Sequence, residues 1–155
     1  MRILLLNGPN LGRLGLRQPE IYGSTTLAEV VEAAREHASR LGHDLDAHQS
    51  NHEGALIDRL EVRDFDAVIM NPGALTHTSY ALHDALVGIG VPVVEVHISD
   101  ILAREEWRRV SRIEPVVSHR ILGHGWQGYL EAIDHLHAAA SPGDAAPEPR
   151  LEASP

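Results

Sequence analysis

The stretch "PVVEVHIS" (92–99) sets a carboxylate, Glu95, and an imidazole, His97, two residues apart in an apolar run. In an extended strand that spacing puts both side chains on one face. A carboxylate among Val93, Val94 and Val96 costs on the order of several kcal/mol to bury unless it is partnered. His97 is the nearest ionisable group on that face. A carboxylate that fixes the tautomer of an imidazole is a general acid/base device. The competing reading is a buried pair with a purely structural role.

A second unusual stretch is "NGPNLGRLGLRQPEIYG" (7–23), which holds four Gly, two Pro, Asn7, Asn10, Arg13, Arg17 and Tyr22 after an apolar run. Compact domains join a strand to a helix in about 2–6 residues, and longer loops tend to be lids or binding loops. This loop is therefore a candidate site rather than a plain connector. Asn71, in "NPG", ends another apolar run, and Asn before Gly-Pro or Pro-Gly is equally good turn chemistry at Asn7 and Asn71. In "THTS" (76–79) the hydroxyls could cap a helix or its amides hold an anion, with capping the expected role for Thr76. Arg104 and Arg108 are four apart and face the same way on a helix, although Glu105 and Glu106 would also make that segment an ordinary solvated face. His48 and His52 lack a third partner at metal-ligand spacing.

These residues need elements to hold them. "RILLLN" (2–7), "DAVIMN" (66–71) and "VPVVEVH" (91–97) read as strands buried on both faces of a parallel sheet. "HDLDAHQS" (43–50) alternates and reads as a strand nearer an edge, and "PVVSHRIL" (115–122) as a fifth strand. Leu27, Val30, Val31, Ala34, Ala38 and Leu41 repeat on one helix face, with Thr26 and Glu29 as a capping box and Gly42 as a stop. Further helices are expected at about 53–64, 78–89 and 126–140. The βαβαβαβαβ order implies a three-layer α/β fold with a five-stranded parallel sheet, most simply flavodoxin-like, over residues 1–140. Ligands bind at the carboxyl ends of such strands, which is where Asn7, Asn10, Asn71, Glu95 and His97 fall. From Ser141 the text is rich in Pro, Ala and acids and reads as a disordered tail, 141–155.

Composition removes several function classes. A net charge of −9 gives no basic face for nucleic acid, and no apolar run approaches a membrane span, so a soluble cytoplasmic protein is expected. Without cysteine there is no disulfide framework or thiolate nucleophile. Thirteen Arg accompany no Lys, which excludes a lysine Schiff base and a Walker-type lysine.

The text "LNGPNLGRLGLRQPEIYGSTTL", "QSNHEG", "NPGALTHTSYALHDAL" and "PVVEVHISDILAREEWR", with a weaker echo at "GWQGYLEAI", strongly resembles the type II 3-dehydroquinate dehydratases. The resemblance implies a flavodoxin-like fold, a homododecamer built as a tetramer of trimers, no metal or cofactor, and conversion of 3-dehydroquinate to 3-dehydroshikimate. That dehydration serves both aromatic biosynthesis by the shikimate pathway and quinate breakdown. Removing water from a β-hydroxy ketone needs a base beside the ketone, an enolate stabiliser and an acid for the leaving hydroxyl. By resemblance, Tyr22 as tyrosinate is the base, helped by Arg17, and His97, oriented by Glu95, is the acid. Asn10 holds a water on the enolate and the amides of Ile98 and Ser99 hold the substrate carboxylate. Asn71, His77 and Arg108 hold its hydroxyls, and Asp84 reaches a neighbouring subunit's site.

The departures lie outside these assignments. His83 stands where the family has Arg, "SDIL" replaces "SNVH", and the match weakens beyond Arg108. The rival readings are a catalytically silent flavodoxin-like binding or regulatory domain, an FMN carrier, and an enzyme for another cyclic hydroxy acid. Against FMN, "NGPN" follows the first strand in place of a hydroxyl- and Gly-rich phosphate cradle.

Overall fold

The computed structural model describes residues 1–16 and 24–140. Arg17, Tyr22 and the tail from Ser141, all subjects of expectations above, lie outside the described residues.

The regular elements are β1 (Arg2–Asn7), α1 (Leu27–Arg40), β2 (Asp44–Gln49), α2 (Glu53–Glu61), β3 (Ala67–Asn71), α3 (Tyr80–Ile89), β4 (Val93–His97), β5 (His119–Leu122) and α4 (Gly128–Ala140). All pairings are parallel, in the order β2-β1-β3-β4-β5. The expected flavodoxin-like sheet is therefore present, with the alternating β2 at one edge.

The three central strands are buried on both sides, and parity sorts their residues into two cores. Ile3, Leu5, Ile69, Val94, Val96 and Ile121 pack with Val30, Ala34 and Ala38 of α1 and with Ile133 and Leu136 of α4. Leu4, Leu6, Val68, Met70 and Val93 pack on the other face with Leu56 and Leu60 of α2 and Leu82, Leu86 and Ile89 of α3. Glu95 and His97 share the parity of Val93, so they belong to the α2/α3 face.

The start of α1 follows its sequence signal: Thr26 and Glu29 form a reciprocal capping box, and Gly42, at φ 76°, lies just past the end. Two other expectations are corrected. The fifth strand is short, because a 3-10 turn over Glu114–Val116, with Pro115 inside it, occupies the beginning of the 115–122 run. Helix α3 is capped by Ser79, which accepts the Leu82 amide; Thr76 instead lies in a preceding 3-10 turn, Gly73–His77.

Two details lock the ends of β1 and β3 together. Asn7 and Asn71 are register partners, and a fully buried Tyr129 from α4 donates its hydroxyl to Asn7 Oδ1 at 2.8 Å and accepts from Asn71 Nδ2 at 2.8 Å. The turns that follow then interlock. A Cβ on Gly8 would lie 2.5 Å from the Pro72 carbonyl oxygen, and Gly73, at φ 57°, faces the Pro9 carbonyl. Only glycine permits this approach. Tyr129→Phe is expected to cost about 1–3 kcal/mol, because it leaves both asparagines with a buried group unpaired. An unchanged urea midpoint would show that the network contributes nothing.

Candidate active site

Three strand ends and the segments after them enclose one cleft. Its walls are Pro9, Asn10, Leu11 and Leu14 after β1, Asn71, Gly73, Ala74 and His77 at the end of β3 and beyond it, and His97, Ile98, Ser99, Ile101, Arg104 and Arg108 from β4 onward. It holds about 110 Å³ and is half polar by the character of these residues. Asn10, Asn71, His77, His97, Ile98, Ser99 and Arg108 are thus brought together as expected. Asp84 is not: it lies exposed on α3, against His83, away from this cleft.

Beneath the cleft, Glu95 is fully buried and His97 is 5% exposed. His97 Nε2 donates to Glu95 Oε1 at 2.8 Å, since a carboxylate only accepts. This bond fixes the tautomer and leaves Nδ1 as the nitrogen able to exchange a proton with a ligand. Thr76 Oγ1 donates to the same oxygen at 2.5 Å, and Ser111 Oγ lies 3.2 and 3.3 Å from the two oxygens. On the far side Arg120 Nε donates to Oε2 at 2.8 Å. Burial alone would raise the Glu95 carboxyl, but the bond and charge of His97, the Thr76 hydroxyl and the Arg120 charge outweigh it and hold it below the usual range.

The remaining polar groups are also anchored. Asn71 accepts the Gly73 amide at 3.2 Å while donating to Tyr129, so it shapes the turn and lines the cleft at once. His77 Nδ1 donates to the Val110 carbonyl at 2.8 Å, leaving its Nε2 as the acceptor of a neutral ring. Burial pushes His77 below the ordinary imidazole range, against the opposing pull of the Val110 carbonyl. Trp107 meets the His77 ring edge-on at 5.2 Å, and the Arg108 guanidinium stacks on Trp107 at 4.0 Å. Arg104 and Arg108 reach the cleft from two short 3-10 turns, Ile101–Ala103 and Glu106–Arg109, not from one helix. Glu105 lies between them, 3.5 Å from Arg104 Nε and 2.8 Å from Arg108 Nε. Asn10 sits at φ 70° and its amide donates to Asn51 Oδ1, which also accepts from Gln49 Nε2. Asparagine tolerates that left-handed backbone well.

Thr76, Ser111 and Arg120 are the functional neighbours that local patterns did not reveal. Arg120 is the register partner of Glu95 across β4 and β5, a placement that only the folded sheet reveals. Among the described residues no group of three or more His, Cys, Asp or Glu could hold a metal ion.

Buried and half-buried groups set a pH dependence of stability. His77, His43 and His135 all have pKa values lowered from 6.5, by burial foremost, so the unfolded chain takes up their protons first as pH falls. Stability is therefore greatest above about 6.5 and is lost as pH falls toward the folded values. Glu95, lowered from 4.5, adds to the loss below that pH. Thermal melts between pH 7.5 and 4 should show a falling Tm, and a flat profile would contradict this.

Comparison with known proteins agrees with the geometry. Residues 1–137 match the family model described as "Dehydroquinase class II". The "Catabolic 3-dehydroquinase" of Verticillium alfalfae is 55% identical over 135 residues, covering 86% of this chain and 90% of that protein. The "3-dehydroquinate dehydratase" of Roseiflexus castenholzii is 51% identical over 138 residues, covering 88% of each. The crystal structure of type II dehydroquinase from Butyrivibrio crossotus superposes with a TM-score of 0.86 at 43% identity, covering 88% of this chain and 97% of that one. Matched from end to end of the described fold, the chain belongs to the class II dehydroquinase family, the type II 3-dehydroquinate dehydratases.

Proposed function

We propose that this chain dehydrates 3-dehydroquinate to 3-dehydroshikimate through an enolate, with Tyr22 as base and His97 as acid. The observation that carries the reading is the buried Glu95–His97 pair, whose free Nδ1 belongs to a residue lining the cleft. A base removes the proton beside the ketone, the electron pair is held as an enolate, and the β-hydroxyl leaves as water after taking the proton from His97 Nδ1. Arg17 favours the tyrosinate form of Tyr22. Asn10, in the cleft wall, holds the water that meets the enolate oxygen. Ile98 and Ser99, immediately past the end of β4, offer backbone amides to the substrate carboxylate. Asn71, His77 and Arg108 bind its hydroxyls from the wall formed beyond β3 and β4.

Asp84 takes part from outside. Its exposure on α3 suits a side chain that completes the site of a neighbouring subunit in a homododecamer, a tetramer of trimers. Curated fungal relatives are named catabolic and the Roseiflexus relative is not; the dehydration itself is common to quinate breakdown and aromatic biosynthesis.

The test is to add 3-dehydroquinate and follow the absorbance of the conjugated enone. Its absence under conditions where the protein is folded would reject the reading. Because the sequence has no lysine, the route is expected to avoid an imine. Borohydride added with substrate should leave protein mass and activity unchanged, and a reduced adduct on the protein would contradict the enolate route.

A further inference from the structure

We propose that Arg120 is a positioning residue for the reaction: its guanidinium fixes the charge and orientation of Glu95 and, through Glu95, the ring of His97. This deepens the reading of His97 as the acid and rests on it.

Arg120 lies directly opposite Glu95 in the β4–β5 register, while its neighbour Ile121 belongs to the other core, so both charged side chains share one face. Its Nε donates to Glu95 Oε2 and its Nη1 to Glu114 Oε1, each at 2.8 Å. Nη2 is buried without a hydrogen-bond partner among the described residues, so the guanidinium has been drawn out of water to reach this carboxylate. The two oxygens of Glu95 are thereby divided. Oε1 serves His97 and Thr76, Oε2 serves Arg120, and Ser111 spans both.

Among the described residues, the charged and titratable groups around Glu95 are His97 on its own strand, Arg120 from β5, Glu114 behind Arg120, and, at longer range, His77 from the turn before α3. Of these only the guanidinium cannot change its charge. That matters because the proton between Glu95 and His97 has two possible homes. On the ring it makes an imidazolium, which gives up Nδ1–H readily; on the carboxyl it makes a neutral pair, which does not. Burial favours the neutral pair, and a fixed positive charge 2.8 Å from Oε2 favours the ionic one. When His97 has lost its proton to the leaving hydroxyl, Arg120 is the cation in direct contact with a carboxylate that is fully buried. It thus keeps Glu95 an acceptor, and the ring oriented, on both sides of the proton transfer.

The test reads Glu95 separately from turnover. In the free protein, the 13C carboxyl signal of Glu95, identified by its loss in Glu95→Gln, is followed against pH. In Arg120→Met it should titrate at least about one pH unit higher than in wild type. Arg120→Lys should recover part of that change. Glu114→Gln, which removes the charge on the outer side of the guanidinium, should move Glu95 the opposite way. In turnover, Arg120→Met should lower kcat about tenfold or more with KM within about threefold. Added to Glu95→Gln, the same change should cost less than about twofold, since its target is gone. An unshifted Glu95 titration in Arg120→Met would overturn the proposal whatever the activity. A shifted titration with kcat intact would also overturn it, leaving Arg120 a structural partner of Glu95 with no part in the reaction, while the reading of His97 as acid falls only if His97→Ala keeps its turnover. Should Arg120→Met fail to fold, Arg120→Lys and Glu114→Gln carry the same two readouts.

Discussion

His97→Ala is expected to lower kcat by at least about 10²-fold, within the range that general acid catalysis supplies. The leaving hydroxyl must depart as water, and Nδ1 of His97, whose partner nitrogen is tied to Glu95, is the proton source proposed for it. Alanine removes both the proton and the ring, so binding should suffer far less than turnover. Glu95→Gln should reproduce part of the loss with KM nearly kept, because an amide still fills the space but can present its NH2 to the ring and disturb the tautomer. Steady-state kinetics with product absorbance measures both variants. Near-wild-type kcat in His97→Ala would reject the assignment.

The other large effect is expected at the opposite end of the reaction. Tyr22→Phe should abolish turnover while a substrate analogue still binds. An unperturbed tyrosine has a pKa of about 10, so only on the order of one part in a thousand is ionised at neutral pH, too little for an efficient base. A permanent cation close by can change that, and Arg17, which does not titrate in the working range, is the one proposed for that part. Arg17→Ala or Arg17→Lys should therefore lower kcat and move the pKa of the base in its pH profile upward. If the same loop closes over the ligand, trypsin cleavage after Arg13 or Arg17 should slow with an analogue bound. Most of the turnover surviving in Tyr22→Phe would leave the loop as a cover with no chemical part.

Strands and helices were legible because their signals are local. Apolar runs such as "ILLL" and "AVIM" have nowhere to go but a sheet covered on both faces, and the Thr26 and Glu29 box names its own helix start. The Glu95 and His97 pair was legible for the same reason, two residues on one strand. What escaped depends on partners far along the chain. The Thr76 hydroxyl looked like a cap but serves a carboxylate nineteen residues on, while Ser79 does the capping. Arg120 contacts Glu95 only through the register of an edge strand whose first half became a turn at Pro115. Tyr129 fitted an apolar helix face, and nothing local showed that its hydroxyl would join two strand ends.

The crowding around Glu95 also bears on the order of events in the proposed cycle. Its oxygens already accept from His97, Thr76, Ser111 and Arg120, and no part of the residue reaches the surface. Among the described residues, the carboxylate presents no solvent-exposed face on that side. If His97 is the acid proposed above, its ring is recharged at Nδ1, from the cleft that its side chain lines. In the proposed cycle, a product held in that cleft would stand between Nδ1 and solvent until it left. Departure and recharging are then successive steps through one doorway, so a slow exit holds the acid in its spent form and delays the next turnover.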